Sequence, residues 1–228
     1  MKGATCRAWL LALALVSMWG LASPAGALEQ VSGTKHDFTT LGTTGSGHLC
    51  FTCHYPHKTP AQSQLMWNHQ LSANNFSWSD ATTTSGGTTY PTNINSWSGS
   101  TKLCLSCHDG TVAVGDVMNG TDWDLTIFVT GNRQIATSTG DMRGNHPVAV
   151  PYPYNQTANS YNGITTGVNV NLPGFVAAPA DVKIFQDPTS AGSNRGIECA
   201  SCHNPHDSSK GKFLRADKGA ICQRCHAK

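Results

Sequence analysis

Eight cysteines in this chain fall into four pairs of identical spacing: Cys50/Cys53, Cys104/Cys107, Cys199/Cys202 and Cys222/Cys225. A histidine follows each pair directly: His54, His108, His203 and His226. With 10 histidines in 228 residues, four such coincidences out of four are not chance. C-x-x-C-H is the spacing of covalent haem attachment. Its two thiols reach the two vinyl groups on one edge of a macrocycle, and the adjacent histidine gives the iron one axial nitrogen. A zinc site built from two such pairs would use four thiolates and leave four placed histidines unexplained. A thioredoxin-like redox pair would need a βαβ setting, which this sequence lacks. The expectation is four covalently bound c-type haems, each with its iron.

Every haem iron has a second axial position. Six histidines remain to fill four of them: His36, His48, His57, His69, His146 and His206. Irons ligated on both sides have no vacancy for a substrate, so the surplus favours electron transfer over catalysis. No catalytic residue is assigned. His57 and His206 occur in one phrase, C-x-x-C-H-x-P-H, three residues after a motif histidine. On a helical turn, residues at that spacing point to the same side, whereas the two ligands of one iron approach from opposite faces. Each is therefore expected to ligate a neighbouring haem. His146 precedes Pro147, which holds it extended and suits a ligand offered from a loop or strand. His36 lies on the N-terminal arm. His69 and His48 stay open as substitutes. A ligand from Met66, Met118 or Met142 would raise the potential, but spare histidines make these secondary.

The elements that must position these residues are short. Lys2 and Arg7, an apolar run from Ala8 to Leu21 and the small residues Ala25-Gly26-Ala27 read as a signal peptide over 1–27. The apolar run falls short of the ~20 residues a spanning helix needs. Cleavage after Ala27 leaves 201 residues and 13 basic against 13 acidic side chains. Nothing in that balance points to nucleic acid. Residues 28–108 read as an N-terminal dihaem unit with its arm, 109–198 as a segment without haem motifs that supplies a distal ligand, and 199–228 as a C-terminal dihaem unit. Both units open with C-x-x-C-H-x-P-H and close with a plain C-x-x-C-H. The first spacer is a long polar loop over Ser72–Thr101. The second contains Lys212–Ala216, read as a helical turn. Thr111–Val114, Leu125–Thr130, Val148–Val150, Gly167–Asn171 and Val182–Phe185 read as short strands. The fold class is thus a mostly irregular multihaem cytochrome c. Short helices surround the motifs, a few strands lie in the middle, and the haems form the core.

The phrases HLCFTCHYPH, LMWNH, LCLSCHDGT, NHPVAV and ECASCHNPHDSSKGKFLRADKGAICQRCH, with KHDF near the N-terminus, resemble the doubled-CXXCH multihaem cytochromes. As a set they resemble the tetrahaem subunits of extracellular cytochrome filaments ("nanowires") of metal-reducing bacteria. That resemblance implies bis-histidine ligation throughout, with distal histidines at positions matching His36, His57, His146 and His206. It also implies self-association into filaments with one histidine shared between subunits, for which His36 is the candidate. Redox partner proteins and external acceptors such as metal oxides would complete the path, at the cell surface or outside it, with the periplasm as the alternative. A monomeric shuttle has the same haem set with every ligand internal. A multihaem reductase would need one open iron.

Overall fold

The structure is a computed structural model and describes residues 31–39, 49–55, 64–77, 99–118, 126–152, 160–165, 176, 179–187 and 195–227. The expected signal peptide, His48, His57 and the expected strand at 167–171 lie outside these residues. Among the described residues no helix is long and apolar enough to cross a membrane.

Three of the four motifs form short helices: α1 at Ser100–His108, α2 at Cys199–Cys202 and α3 at Ile221–Cys225. The first motif makes a single turn, closed by the His54 amide donating to the Cys50 carbonyl at 2.7 Å. The same closure recurs at His203 to Cys199 (3.0 Å) and His226 to Cys222 (2.9 Å). One turn is all the motif needs, because residues three apart share a helix face and two thiols then point one way.

The middle of the chain builds two small antiparallel sheets. Strands β1 (Val150–Pro151), β4 (Phe185–Gln186) and β5 (Arg195–Ile197) pair in the order β1-β5-β4, with Val150 opposite Ile197 and Phe185 opposite Gly196. Strands β2 (Ser160–Tyr161) and β3 (Ile164–Thr165) form a hairpin. Its turn is Asn162-Gly163, both left-handed at φ 50° and 77°, the conformation a two-residue hairpin turn requires. The sequence expectations omit this hairpin, although Asn-Gly carries its signal. Two other expected strands differ. Thr111–Val114 is a turn, and 126–130 runs extended, with the Ile127 carbonyl accepting from the Val114 amide. The strands expected at Val148 and Val182 begin later, at Val150 and Phe185.

Phe76, Leu105, Ala136, Met142, Ala149, Val150 and Ile164 pack into one small buried cluster with Val148 against it. It joins α1 to β1 and the hairpin. Tyr161 of the hairpin lies where a side chain on Gly196 would sit, so only glycine lets β2 approach β5 this closely. Strand β5 runs straight into α2 and so connects this layer to the third motif.

Candidate functional site

His54, His108 and His203 of the C-x-x-C-H motifs are oriented in one way. His54 Nδ1 faces the Leu65 carbonyl at 2.8 Å, His108 Nδ1 the Arg133 carbonyl at 2.8 Å, and His203 Nδ1 the Lys212 carbonyl at 2.9 Å. A carbonyl only accepts, so Nδ1 carries the hydrogen and Nε2 keeps its lone pair. A metal-binding histidine is arranged in this manner, with its outer N–H donated to a fixed acceptor.

Spare histidines meet motif histidines in pairs. The His206 ring lies 5.9 Å from His54, at 30° between planes. His36 lies 6.2 Å from His108, at 66°. His146 lies 6.3 Å from His226, at 61°. Two metal–nitrogen bonds of about 2 Å placed end to end, plus roughly 1 Å from each nitrogen to its ring centre, separate two imidazole centres by about 6 Å. Direct ring packing covers the same range, so distance alone does not decide the matter. Each pair joins one motif histidine to one spare histidine. Among the described residues no three of His, Cys, Asp and Glu converge as a bare-ion site. The eight motif thiols are all free of disulfides. Paired imidazoles beside paired thiols fit haem.

Several elements aim the spare histidines. His36 stacks on Phe213 at 4.3 Å and 13°, and its ring bonds the Pro205 backbone. Burial, then the neighbouring His108, pushes it down to about 4. His206 follows Pro205, and its backbone amide donates to Asn204 Oδ1 at 3.2 Å. Burial and His54 lower its pKa too. His146 turns Nδ1 to the Pro147 carbonyl at 2.8 Å, four residues before β1. Beyond β1, the Tyr152 hydroxyl donates to the Val176 carbonyl (2.6 Å) and the Val176 amide to the Cys225 carbonyl (2.9 Å), so one strand reaches both sides of the last motif. His69 is placed otherwise: fully buried, with Nδ1 and Nε2 against the Gln70 and Ala113 carbonyls at 2.8 and 2.9 Å. Its Nε2 also lies 3.3 Å from the Cys107 thiol, so His69 sits at the second motif and stays a substitute ligand. Met142 sits in the apolar cluster. His36, expected to reach a neighbouring subunit, lies against His108 of its own chain.

The thiols line up in chain order. Cys107 lies near Cys53, Cys104 hydrogen-bonds Cys199, and Cys202 lies near Cys225. Each interior pair thus turns one sulfur to the pair before it and the other to the pair after. Cys50 and Cys222, at the two ends, are the exposed ones. Burial pushes the unreacted thiols of Cys53 and Cys202 up to about 11 and of Cys107 up to about 12. Glu198 holds the middle junction. Its carboxylate accepts from the Tyr161 hydroxyl at 2.7 Å and the Thr101 amide at 2.8 Å, while Thr101 Oγ1 accepts from the Cys199 amide at 3.0 Å.

Sequence reasoning missed a turn that both units share. Leu65-Met66 has φ 62° and 54°, and Lys212-Phe213 has φ 49° and 57°. In each unit the first residue's carbonyl takes the motif histidine's ring N–H. The second residue's carbonyl takes the next amide, Tyr55 (2.9 Å) or Asn204 (2.7 Å). A bridge follows, His54 to Trp67 or His203 to Leu214. Then Asn68 or Arg215 donates its amide to Cys53 or Cys202, both at 2.9 Å. Lys212–Ala216 is therefore not the expected helical turn: two left-handed residues fold it back onto the motif.

No curated protein matches the chain. Residues 192–228 match the family described as Doubled CXXCH motif. These C-x-x-C-H motifs imply covalently bound c-type haem with its iron, and the match makes the C-terminal segment a doubled attachment unit of the c-type cytochrome kind, for which electron transfer is the supported function.

Proposed function

We propose that this chain is a tetrahaem c-type cytochrome that conducts electrons along its length. The carrying observation is the set of three pairs in which a spare histidine faces a motif histidine at 5.9–6.3 Å. Haem, once attached, supplies a one-electron iron couple beside each pair. His54, His108 and His203 are held by carbonyls, and each facing pair would offer one haem iron two imidazoles. His57 is the candidate for the motif of His203, with His48 and His69 as the substitutes. Filled axial positions favour an electron carrier over a reductase. The bound macrocycles would also supply the apolar core that the small buried cluster does not.

The resemblance to filament subunits supports a further step: secreted copies joined end to end, carrying electrons to external acceptors such as metal oxides. The exposed thiols at both ends of the row favour it, since a row that opens at both ends can be continued. A second reading, a discrete carrier between redox partners, is favoured by one observation: His36 meets His108 of its own chain and need not be lent. Mass spectrometry of the intact protein tests the haem count, and four is expected. Electron microscopy of protein sheared from its producing cells separates the two readings. Ordered filaments containing this chain would support the first, and discrete particles in the periplasm the second. A count other than four, or a high-spin iron in the resting protein, would overturn the conduction scheme.

A further inference from the structure

We infer that the Lys212-Phe213 turn is a positioning latch that sets the axial ligands of two adjacent irons together, those of the second and third motifs. Its backbone and its side chain face different sites. The Lys212 carbonyl takes the ring N–H of His203, which fixes the rotation of the third motif's histidine. The Phe213 ring stacks at 4.3 Å on His36, which faces His108 of the second motif. One dipeptide therefore touches both ligand sets, and the Cys104–Cys199 contact places those two motifs next to each other.

The turn is held against its own preference. Lys212 and Phe213 are both left-handed, at φ 49° and 57°, a region that non-glycine residues seldom enter. Backbone bonds on either side hold it there, from the Asn204 amide to the Phe213 carbonyl and from the Arg215 amide to the Cys202 carbonyl. Such strain persists only where the surroundings over-determine it. The first unit has the same turn at Leu65-Met66, but there Leu65 and Met66 are 64% and 52% exposed. The backbone role is thus common to both units, while a ring stacked on a histidine is seen at Phe213.

The inference rests on the histidine pairing proposed above, and the test separates the two. Full-length haem-loaded protein is compared as wild type, His36→Ala, Phe213→Tyr, Phe213→Gly and Phe213→Val. The readouts are low-temperature electron paramagnetic resonance of the oxidised protein and amide exchange over residues 31–39. His36→Ala should turn one iron in four high-spin. Phe213→Gly removes the ring but accepts a left-handed φ, so it should disturb that same single iron and speed exchange of the arm at least tenfold. Valine disfavours the left-handed region, so Phe213→Val should disturb two irons. Phe213→Tyr should keep all four low-spin. If His36→Ala opens no iron, the pairing has failed and the latch with it. If His36→Ala opens one but Phe213→Gly leaves all four and the arm unchanged, the stacking role is wrong. If valine and glycine give the same single altered iron, the two sites are not coupled through this turn.

Discussion

A histidine that donates Nδ1–H to a backbone carbonyl has its tautomer fixed, with Nε2 left to ligate a metal. His54, His108 and His203 all do so, and the bond also stops each ring from rotating. On the proposed pairing, His206→Ala should leave haem attachment intact while the iron at His54 becomes high-spin, and His146→Ala should do the same at His226. Both are read from ferric spectra and carbon monoxide binding by the reduced protein. Fully low-spin spectra would refute the assignment of that histidine. Glu198 supplies a prediction in pH. Burial raises its pKa above the ordinary 4.5, so the folded chain holds this proton more tightly than the unfolded one. Its contribution is complete below about pH 4.5 and is lost as pH rises through the raised value. Glu198→Gln cannot ionise, so the stability of wild type relative to this variant should fall as the pH rises above about 4.5 in guanidinium titrations. Parallel curves would remove the claim. Glu198→Ala should cost more at every pH, because the Tyr161 hydroxyl and Thr101 amide lose a buried acceptor, about 1–3 kcal/mol for each.

The elements are short, and what they position depends on tight approaches. Gly196→Ala would drive a methyl group into the Tyr161 ring, at about 1–3 kcal/mol for overpacking. It should also loosen the hairpin from β5 and lower the unfolding midpoint, while a substitution at exposed Gly211 with no neighbour in the way acts only through its left-handed φ. What the sequence reveals follows the range of the forces involved. The one-turn C-x-x-C-H elements are legible because spacing and chemistry reside in five consecutive residues. The Asn162-Gly163 turn is equally local and was open to reading. The Leu65-Met66 and Lys212-Phe213 turns are not legible, because neither pair has the residue types that advertise positive φ. Their conformation is imposed by hydrogen bonds to the preceding motif. His69 shows the same limit: its residue type suits a ligand, and only the fold places it between the Gln70 and Ala113 carbonyls and the Cys107 thiol. Strands such as Val150–Pro151 are too brief for periodicity to place their ends.

For the molecule as a whole, the row of thiols predicts which losses matter most. Serine at both Cys104 and Cys107 would remove an interior haem, and serine at both Cys222 and Cys225 a terminal one. The interior loss should slow electron equilibration among the remaining irons far more, measured by flash reduction of protein whose mass confirms three haems. Equal slowing would argue against a linear order. The histidine pairs reach across the same row: His206 lies 152 residues after His54, and His36 rests on Phe213. On this pairing, the last thirty residues hold closed the irons at the first and second motifs. The ribosome makes those motifs first and His206 and Phe213 last. A chain that stops short, or is clipped near its end, does more than lose part of its wire. It leaves the iron at the first motif uncapped and the spare histidine of the second without its brace, so the completeness of the polypeptide is written in the reactivity of its opposite end.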